Sequence, residues 1–164
     1  MKTIVFWFLL AAAVLGIGSL LPFQSRDVGQ LVPVETLVIS LEEDQIQLNG
    51  GICEGKGKTW ETAWQDLQDG APGYVFLGTA EQVVFVGGAM RLLQQVAEAN
   101  ALRPAAHVCV SVGQKPKPET ITPFLRTHNS GLTLQQVRAA FKQGRELAMP
   151  VLEIKEGEMH LYEP

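Results

Sequence analysis

The stretch GGICEGKGKTW, residues 50–60, combines glycines with lysine and threonine, the residue types that hold phosphate in nucleotide enzymes. That chemistry needs a glycine, four further residues, and then Gly-Lys followed by Ser or Thr, whose hydroxyl binds magnesium. Gly57-Lys58-Thr59 supplies the ending, but Ile52 occupies the position of the first glycine. The alternative register opens at Gly50 and continues to Gly55-Lys56. Its next position, where the pattern needs a Ser or Thr hydroxyl, is Gly57. Both registers fail by one residue, which argues against a nucleotide site.

The same stretch is also typical of a loop that leads from a strand into a helix. Thr59 can cap the amino terminus of a helix through its hydroxyl. The apolar residues that follow recur at helical spacing on one face: Trp60, Ala63, Trp64 and Leu67. In this interpretation the glycines form the loop, and Lys56 and Lys58 are solvated charges within it.

A binding site could combine this loop with Gly87-Gly88. The two glycines follow an apolar strand pattern and open an amphipathic helix pattern, so their free N–H groups could hold an anion. Close packing of strand against helix also explains them. If residues 50–58 meet them at one end of a sheet, Lys56, Lys58 and Thr59 supply charge and hydrogen bonds. The pattern then predicts an extracytoplasmic module that binds a small molecule or peptide.

His107 and Cys109 could form a nucleophilic pair, because alternation along residues 106–112 places both on one face of a strand. Neighbours along one strand are poorly placed for in-line proton transfer, and a sheet face covered by a helix explains the pattern better. Cys53 and Cys109 are the only cysteines and could form one disulfide outside the cell. Their spacing is not that of a zinc site. We therefore expect no catalytic residue, metal or cofactor, and a protein that is not an enzyme.

Residues 1–22 are predicted to be a membrane anchor or a signal peptide. The run Ile4–Leu21 has no charged residue and is near the shortest length that spans a bilayer, about 18 residues. No Ala-x-Ala cleavage site and no lipoprotein cysteine follows it, which favours an uncleaved single-pass anchor in the cell or spore membrane. Lys2 precedes the run, so the rest of the chain is expected outside the cytoplasm. Secretion after signal cleavage is the alternative.

Residues 23–30 are a polar linker, and residues 31–164 are predicted to be one extracytoplasmic domain. The chain of 164 residues has a net charge of -4, with lysine and arginine scattered along it. This charge pattern does not suggest a nucleic-acid surface, and we expect no nucleic-acid partner.

The fold class predicted for this domain is α/β (α+β), with a mixed β-sheet packed against about three helices. Hairpins are expected from residues 34–41 with 46–52 and from 151–154 with 159–162, and buried strands near 83–86 and 106–112. Helices are predicted near 59–69, 88–99 and 133–143, and a short turn from Thr122-Pro123 through Leu125. The predicted core includes Leu37, Ile39, Trp64, Leu67, Val84, Val86, Leu93, Val108 and Val110.

The order of these elements is also that of a known family. GKTWETAWQDLQDGAPGYVFLGTAEQVVFVGGA, residues 57–89, resembles the amino-terminal domain of the Ger(x)C spore-germination proteins. LVPVETLVIS, LRPAAHVCVSVG and LTLQQVRAAFKQGRELAMPVLEI look like further parts of that domain, and the likeness is collinear over most of residues 28–155.

The resemblance implies an α/β domain on the outer face of the membrane of a spore-forming bacterium, working beside membrane-spanning receptor partners and without known catalytic residues. The chain departs from the family in lacking the lipid-bearing cysteine and in stopping at Pro164, before the family's further domains. We therefore expect a short stand-alone relative. Its expected function is a non-enzymatic interaction with envelope or spore membrane proteins during sporulation or germination.

Overall fold

The computed structural model describes residues 30–164, which form one domain around a seven-stranded mixed sheet. The sheet strands are β2 (Thr36–Glu42), β3 (Gln45–Asn49), β4 (Glu54–Gly57), β6 (Gln82–Val86), β7 (His107–Gly113), β8 (Val151–Lys155) and β9 (Glu158–Tyr162). Two short strands, β1 (Leu31–Pro33) and β5 (Tyr74–Phe76), form a separate parallel pair. The α-helices are α1 (Trp60–Asp69), α2 (Leu93–Glu98), α3 (Pro118–Thr127) and α4 (Leu134–Lys142). The predicted mixed α/β class is confirmed.

The strand order is β4-β3-β2-β6-β7-β8-β9. The four inner strands β2, β6, β7 and β8 run parallel, and a hairpin extends the sheet antiparallel at each side. Both hairpins turn through two residues with positive φ, Glu43-Asp44 and Glu156-Gly157. Such a turn matches the right-handed twist of the strands that it joins. Both predicted hairpins are therefore confirmed.

Two of the predicted helices have nearly the predicted bounds, because their first turns are capped. Thr59 accepts a hydrogen bond from the N–H of Thr62 at the start of α1, and Thr133 accepts one from Gln136 at the start of α4. The third prediction, residues 88–99, is divided between a 3₁₀ segment, Gly87–Leu92, and the short helix α2.

The structure corrects two predictions of local structure. Residues 54–57 form the edge strand β4 and not the predicted loop. Helix α3 begins at Pro118, whereas the sequence predicts only a short turn from Thr122. Pro118 suits the first helical position because the N–H that it lacks would have no partner there. Pro123, the predicted start of that turn, lies inside this helix instead.

The sheet carries an apolar core on each face. The first face packs against α1, α2 and α4, through residues such as Leu67, Val96 and Val137. The second face packs against α3, where Ile121 and Leu125 contact the smaller core. Among the predicted core residues Trp64, Val86 and Val110 are only partly buried, and the others are buried: Leu37, Ile39, Leu67, Val84, Leu93 and Val108.

The predicted anchor or signal peptide, residues 1–22, and the linker up to residue 29 lie outside the described residues. In the part of the chain that is described, no helix has the length and apolar character needed to cross a membrane.

Candidate functional site

The glycines that imitate a phosphate loop are packing positions. A Cβ atom on Gly55 would lie less than 3.0 Å from the backbone of Ala63 and Leu67, and one on Gly57 would meet Thr62 and Ala63 just as closely. Strand β4 therefore approaches helix α1 so closely that only glycine fits between them. The short distance to the helix backbone leaves no space for a phosphate beside these glycines.

The other polar groups of this stretch have structural partners. The backbone N–H of Lys56 donates a hydrogen bond to the carboxylate of Asp66 at 2.8 Å. Because β4 is an edge strand, this N–H would otherwise be open to pairing with another chain. The Thr59 hydroxyl is used as the cap of α1. Lys58 is exposed next to it. Of Lys56, Lys58 and Thr59, only Lys56 lines a groove; residues 50–52, at the start of the same stretch, line a separate cleft of about 450 Å³ beside Pro118 and Glu119.

Gly87 and Gly88 lie at the carboxyl end of β6 and are both exposed, and a Cβ atom added to either would have no other atom within 4 Å. Strands β3 and β2 separate β4 from β6, so three strand spacings, about 14 Å, lie between Gly57 and Gly87. Lys58 and the glycine pair are therefore at the same end of the sheet but are not brought together into one pocket.

His107 and Cys109 share a strand face, as the alternation indicated, but each is held in a structural role. The Nδ1 atom of His107 lies 2.6 Å from the carbonyl oxygen of Ser130. Cys109 is 1% exposed, and burial, with the charge of Glu163 as a second cause, raises its pKa to about 12. A thiol in this environment stays protonated at neutral pH and is a poor nucleophile.

The predicted disulfide is not formed. Cys53 and Cys109 are both free and buried, and they belong to different cores, Cys53 on the first face of the sheet and Cys109 on the second. The sheet itself lies between the two thiols, so no rotation of the side chains could join them.

The second face of the sheet is not covered throughout, and its open part forms a polar groove. Helix α3 covers β2, β6 and β7, but the outward residues of β3 and β4 stay uncovered next to the 114–117 segment, which connects β7 to α3. We call this the lysine groove, and its volume is about 240 Å³. Its polar lining residues are Ser40, Gln47, Asn49, Glu54, Lys56, Lys115 and Lys117.

One lysine of the groove is tied to the sheet. The Nζ atom of Lys115 donates to Glu42 at 2.5 Å and to Gln47 at 2.9 Å, and Gln47 donates in turn to Glu42 at 2.7 Å. These contacts lower the pKa of the Glu42 carboxyl; the hydrogen bond from Lys115 has the largest effect and that from Gln47 the second largest. This cluster holds the 114–117 segment against the edge of the groove.

The other two lysines are available to a partner. Within residues 30–164, the ammonium groups of Lys56 and Lys117 form no ion pair. Three lysines face two glutamates, Glu42 and Glu54, so the groove is locally positive on a chain whose net charge is -4. A positive groove on an acidic protein attracts anionic groups.

A larger cleft, about 440 Å³, lies between α2 and α4; its lining has two cations, Arg138 and Lys142, and one carboxylate, Glu98, and Arg138 is already used. Arg138 donates to the carbonyl oxygens of Ala97 and Ala99, where α2 ends. These are carbonyls that the helix itself leaves unpaired. The cleft is therefore a helix–helix junction, and the lysine groove is the better candidate site.

The sequence analysis singles out Lys56 but not Lys115 or Lys117. One signal was present: Gln45, Gln47 and Asn49 alternate with apolar residues and predict a strand with one wet face. Nothing in the sequence indicated that residues 114–117 would border that face. Among residues 30–164 no three His, Cys, Asp or Glu side chains are grouped to hold a metal ion.

No family model, no curated protein and no solved structure matches this chain. Its function is therefore inferred from its own residues.

Proposed function

We propose that this protein is a non-enzymatic interaction domain on the outer face of the cell or spore membrane, and that it binds envelope proteins during sporulation or germination. The observation that carries the proposal is the lysine groove, an open polar surface with two lysines, Lys56 and Lys117, that have no ion pair in the described part of the chain. The resemblance to the Ger(x)C amino-terminal domain supplies the biological setting.

The size of the groove favours a protein partner over a small ligand. Small-molecule sites usually enclose about 300–1,000 Å³ and are mostly apolar. The lysine groove has about 240 Å³, which is below that range, and charged and amide side chains contribute much of its lining. It can receive side chains from a partner's surface, but it cannot bury most of a metabolite.

The groups with catalytic potential support the same proposal. Cys109 is buried with a raised pKa, the ring of His107 is bound to a backbone carbonyl, and Thr59 caps a helix. Catalysis by Cys109 would require exposing its buried thiol, and catalysis by Thr59 would require breaking the cap of α1. We infer that these residues act in folding.

Localisation follows from the sequence. We propose that residues 1–22 remain as a single-pass anchor and hold the domain at the membrane, with secretion after cleavage as the alternative. In either case the groove faces the extracytoplasmic side, where envelope proteins are accessible.

A second candidate function is an extracytoplasmic module that binds a small molecule or peptide. The observation that favours it is that Lys56 and Lys117 are free to bind an anion. A metabolite-binding module would show a melting shift with a small anionic ligand, and this shift would be lost in Lys56→Gln.

Site-specific photo-crosslinking in sporulating cells tests the main proposal. A photoreactive amino acid replaces Lys117 at the groove in one strain and Lys142, on α4, in a control strain. We expect envelope or spore membrane proteins in adducts from position 117 and not from position 142. Adducts from neither position, with the chain present in the membrane fraction, would contradict the proposal. Mass spectrometry of the chain's terminal peptide shows in the same sample whether residues 1–22 are retained.

A further inference from the structure

We infer that the lysine groove receives an acidic segment of the partner protein, with Lys56 and Lys117 binding its carboxylates. This inference rests on the proposed interaction function and adds the chemistry of the partner.

The two free charges of the lysine groove lie on separate parts of the fold. Lys56 projects from β4, and Lys117 ends the 114–117 segment, so the two cations belong to different structural elements that border the groove. Carboxylates along an extended acidic segment could reach both. A small anion bound by a single exposed lysine would be held weakly.

The backbone at Lys117 is held in place before a partner binds. Pro116 is buried and Pro118 starts helix α3, so two prolines flank Lys117 and restrict its backbone. Lys115 fixes the same segment to Glu42 and Gln47. Little backbone freedom is lost when a partner binds, and this increases affinity.

Neutral polar residues also line the groove. Gln47 and Asn49 project from β3, and Ser40, which is 3% exposed, lies beside them on β2. Both amides already bond neighbours, Gln47 with Glu42 and Lys115 and Asn49 with Glu54 and Gly51. Each keeps a second N–H and a second lone pair, which can bond the backbone of an extended segment without regard to its sequence. The lysines then supply the preference for acidic side chains.

The test measures binding of a fluorescent hexaglutamate peptide to the full-length protein in non-ionic detergent, by fluorescence anisotropy. Hexaglutamine is the matched neutral peptide. The variants are Lys56→Gln and Lys117→Gln, with Lys142→Gln as the control, and all three lysines are exposed, so folding is expected to be unaffected. Each groove variant should weaken hexaglutamate binding about two- to fivefold at low salt, as expected for an exposed ion pair. Lys142→Gln should leave the affinity unchanged.

Three results would overturn the inference. These are the absence of hexaglutamate binding, equal weakening of that binding by all three variants, and complete displacement of the peptide by inorganic phosphate. The last result would indicate a site for a small oxyanion. Binding should also fall as salt is raised from about 0.01 M to about 0.3 M, because the Debye length shrinks over that range. If envelope proteins crosslink to position 117 but hexaglutamate does not bind, the interaction function stands and only the acidic-segment inference fails.

Discussion

Replacing Gly55 with alanine should destabilise the domain, because this glycine is the closest contact between β4 and α1. The new Cβ atom would lie less than 3.0 Å from the carbonyl oxygen of Ala63, and from the backbone nitrogen and Cβ of Leu67. Two of these three atoms belong to the helix backbone. Relief therefore requires a shift of the whole helix and not a rotation of one side chain.

The expected size of the effect follows from two opposing contributions. Overpacking costs about 1–3 kcal/mol, and contact with backbone atoms places Gly55→Ala near the upper value. Alanine regains about 0.4–1 kcal/mol by restricting the unfolded chain. The net loss in free energy of unfolding is then about 2 kcal/mol, which corresponds to a fall in Tm of about 8 °C for a domain of this size.

Thermal unfolding of the full-length protein in detergent, followed by circular dichroism, measures this shift. Gly88→Ala is the matched control, since no atom lies within 4 Å of its Cβ position. Its free energy of unfolding should stay within about 0.5 kcal/mol of the original protein. If Gly55→Ala lowered Tm by no more than Gly88→Ala, close packing would not explain the glycine, and a ligand role for residues 50–58 would have to be reconsidered.

Three further predictions concern the cores and the lysine groove. A thiol reagent at about pH 8 should label Cys109 only after unfolding, because its pKa is raised to about 12, and rapid labelling of the native protein would contradict its burial. The lowered pKa of Glu42 means that its contacts with Lys115 and Gln47 add stability above the unfolded value near 4.5, and that this stability is lost as pH falls through the folded value. Lys115→Gln should therefore reduce the difference between the urea midpoints at about pH 6 and about pH 3, and an unchanged difference would show that this ion pair does not contribute. Ile121→Ala should cost about 2–5 kcal/mol because it opens a cavity under α3, whereas Ile52→Ala, at an exposed position, should cost less than about 0.5 kcal/mol in the same urea titration.

The parts of the fold that sequence reasoning predicted correctly depend on contacts between neighbours in the chain. The caps at Thr59 and Thr133 use residues three positions apart, so their signals lie within one turn of helix. The hairpin of β8 and β9 turns through Glu156-Gly157, and the alternation of the strands on either side was visible directly.

The errors arose where a local signal had two interpretations. Glycines at positions 55 and 57 suit a loop, but they also suit a strand pressed against a helix, and only the position of α1 distinguishes the two. Pro123 suggests the start of a turn because proline favours the first helical position, yet Pro118 occupies that position in α3.

By itself, then, the sequence determined the α/β class, the two hairpins, the capped helices and part of the first core, because periodicity and caps are encoded over a few residues. Only the tertiary structure decided that Cys53 and Cys109 lie on opposite faces of the sheet. It alone brought Lys56 beside residues 114–117 to make a groove. These are relations between segments far apart in the chain, and they depend on strand order and on which helix covers which face, information that no short stretch of residues carries.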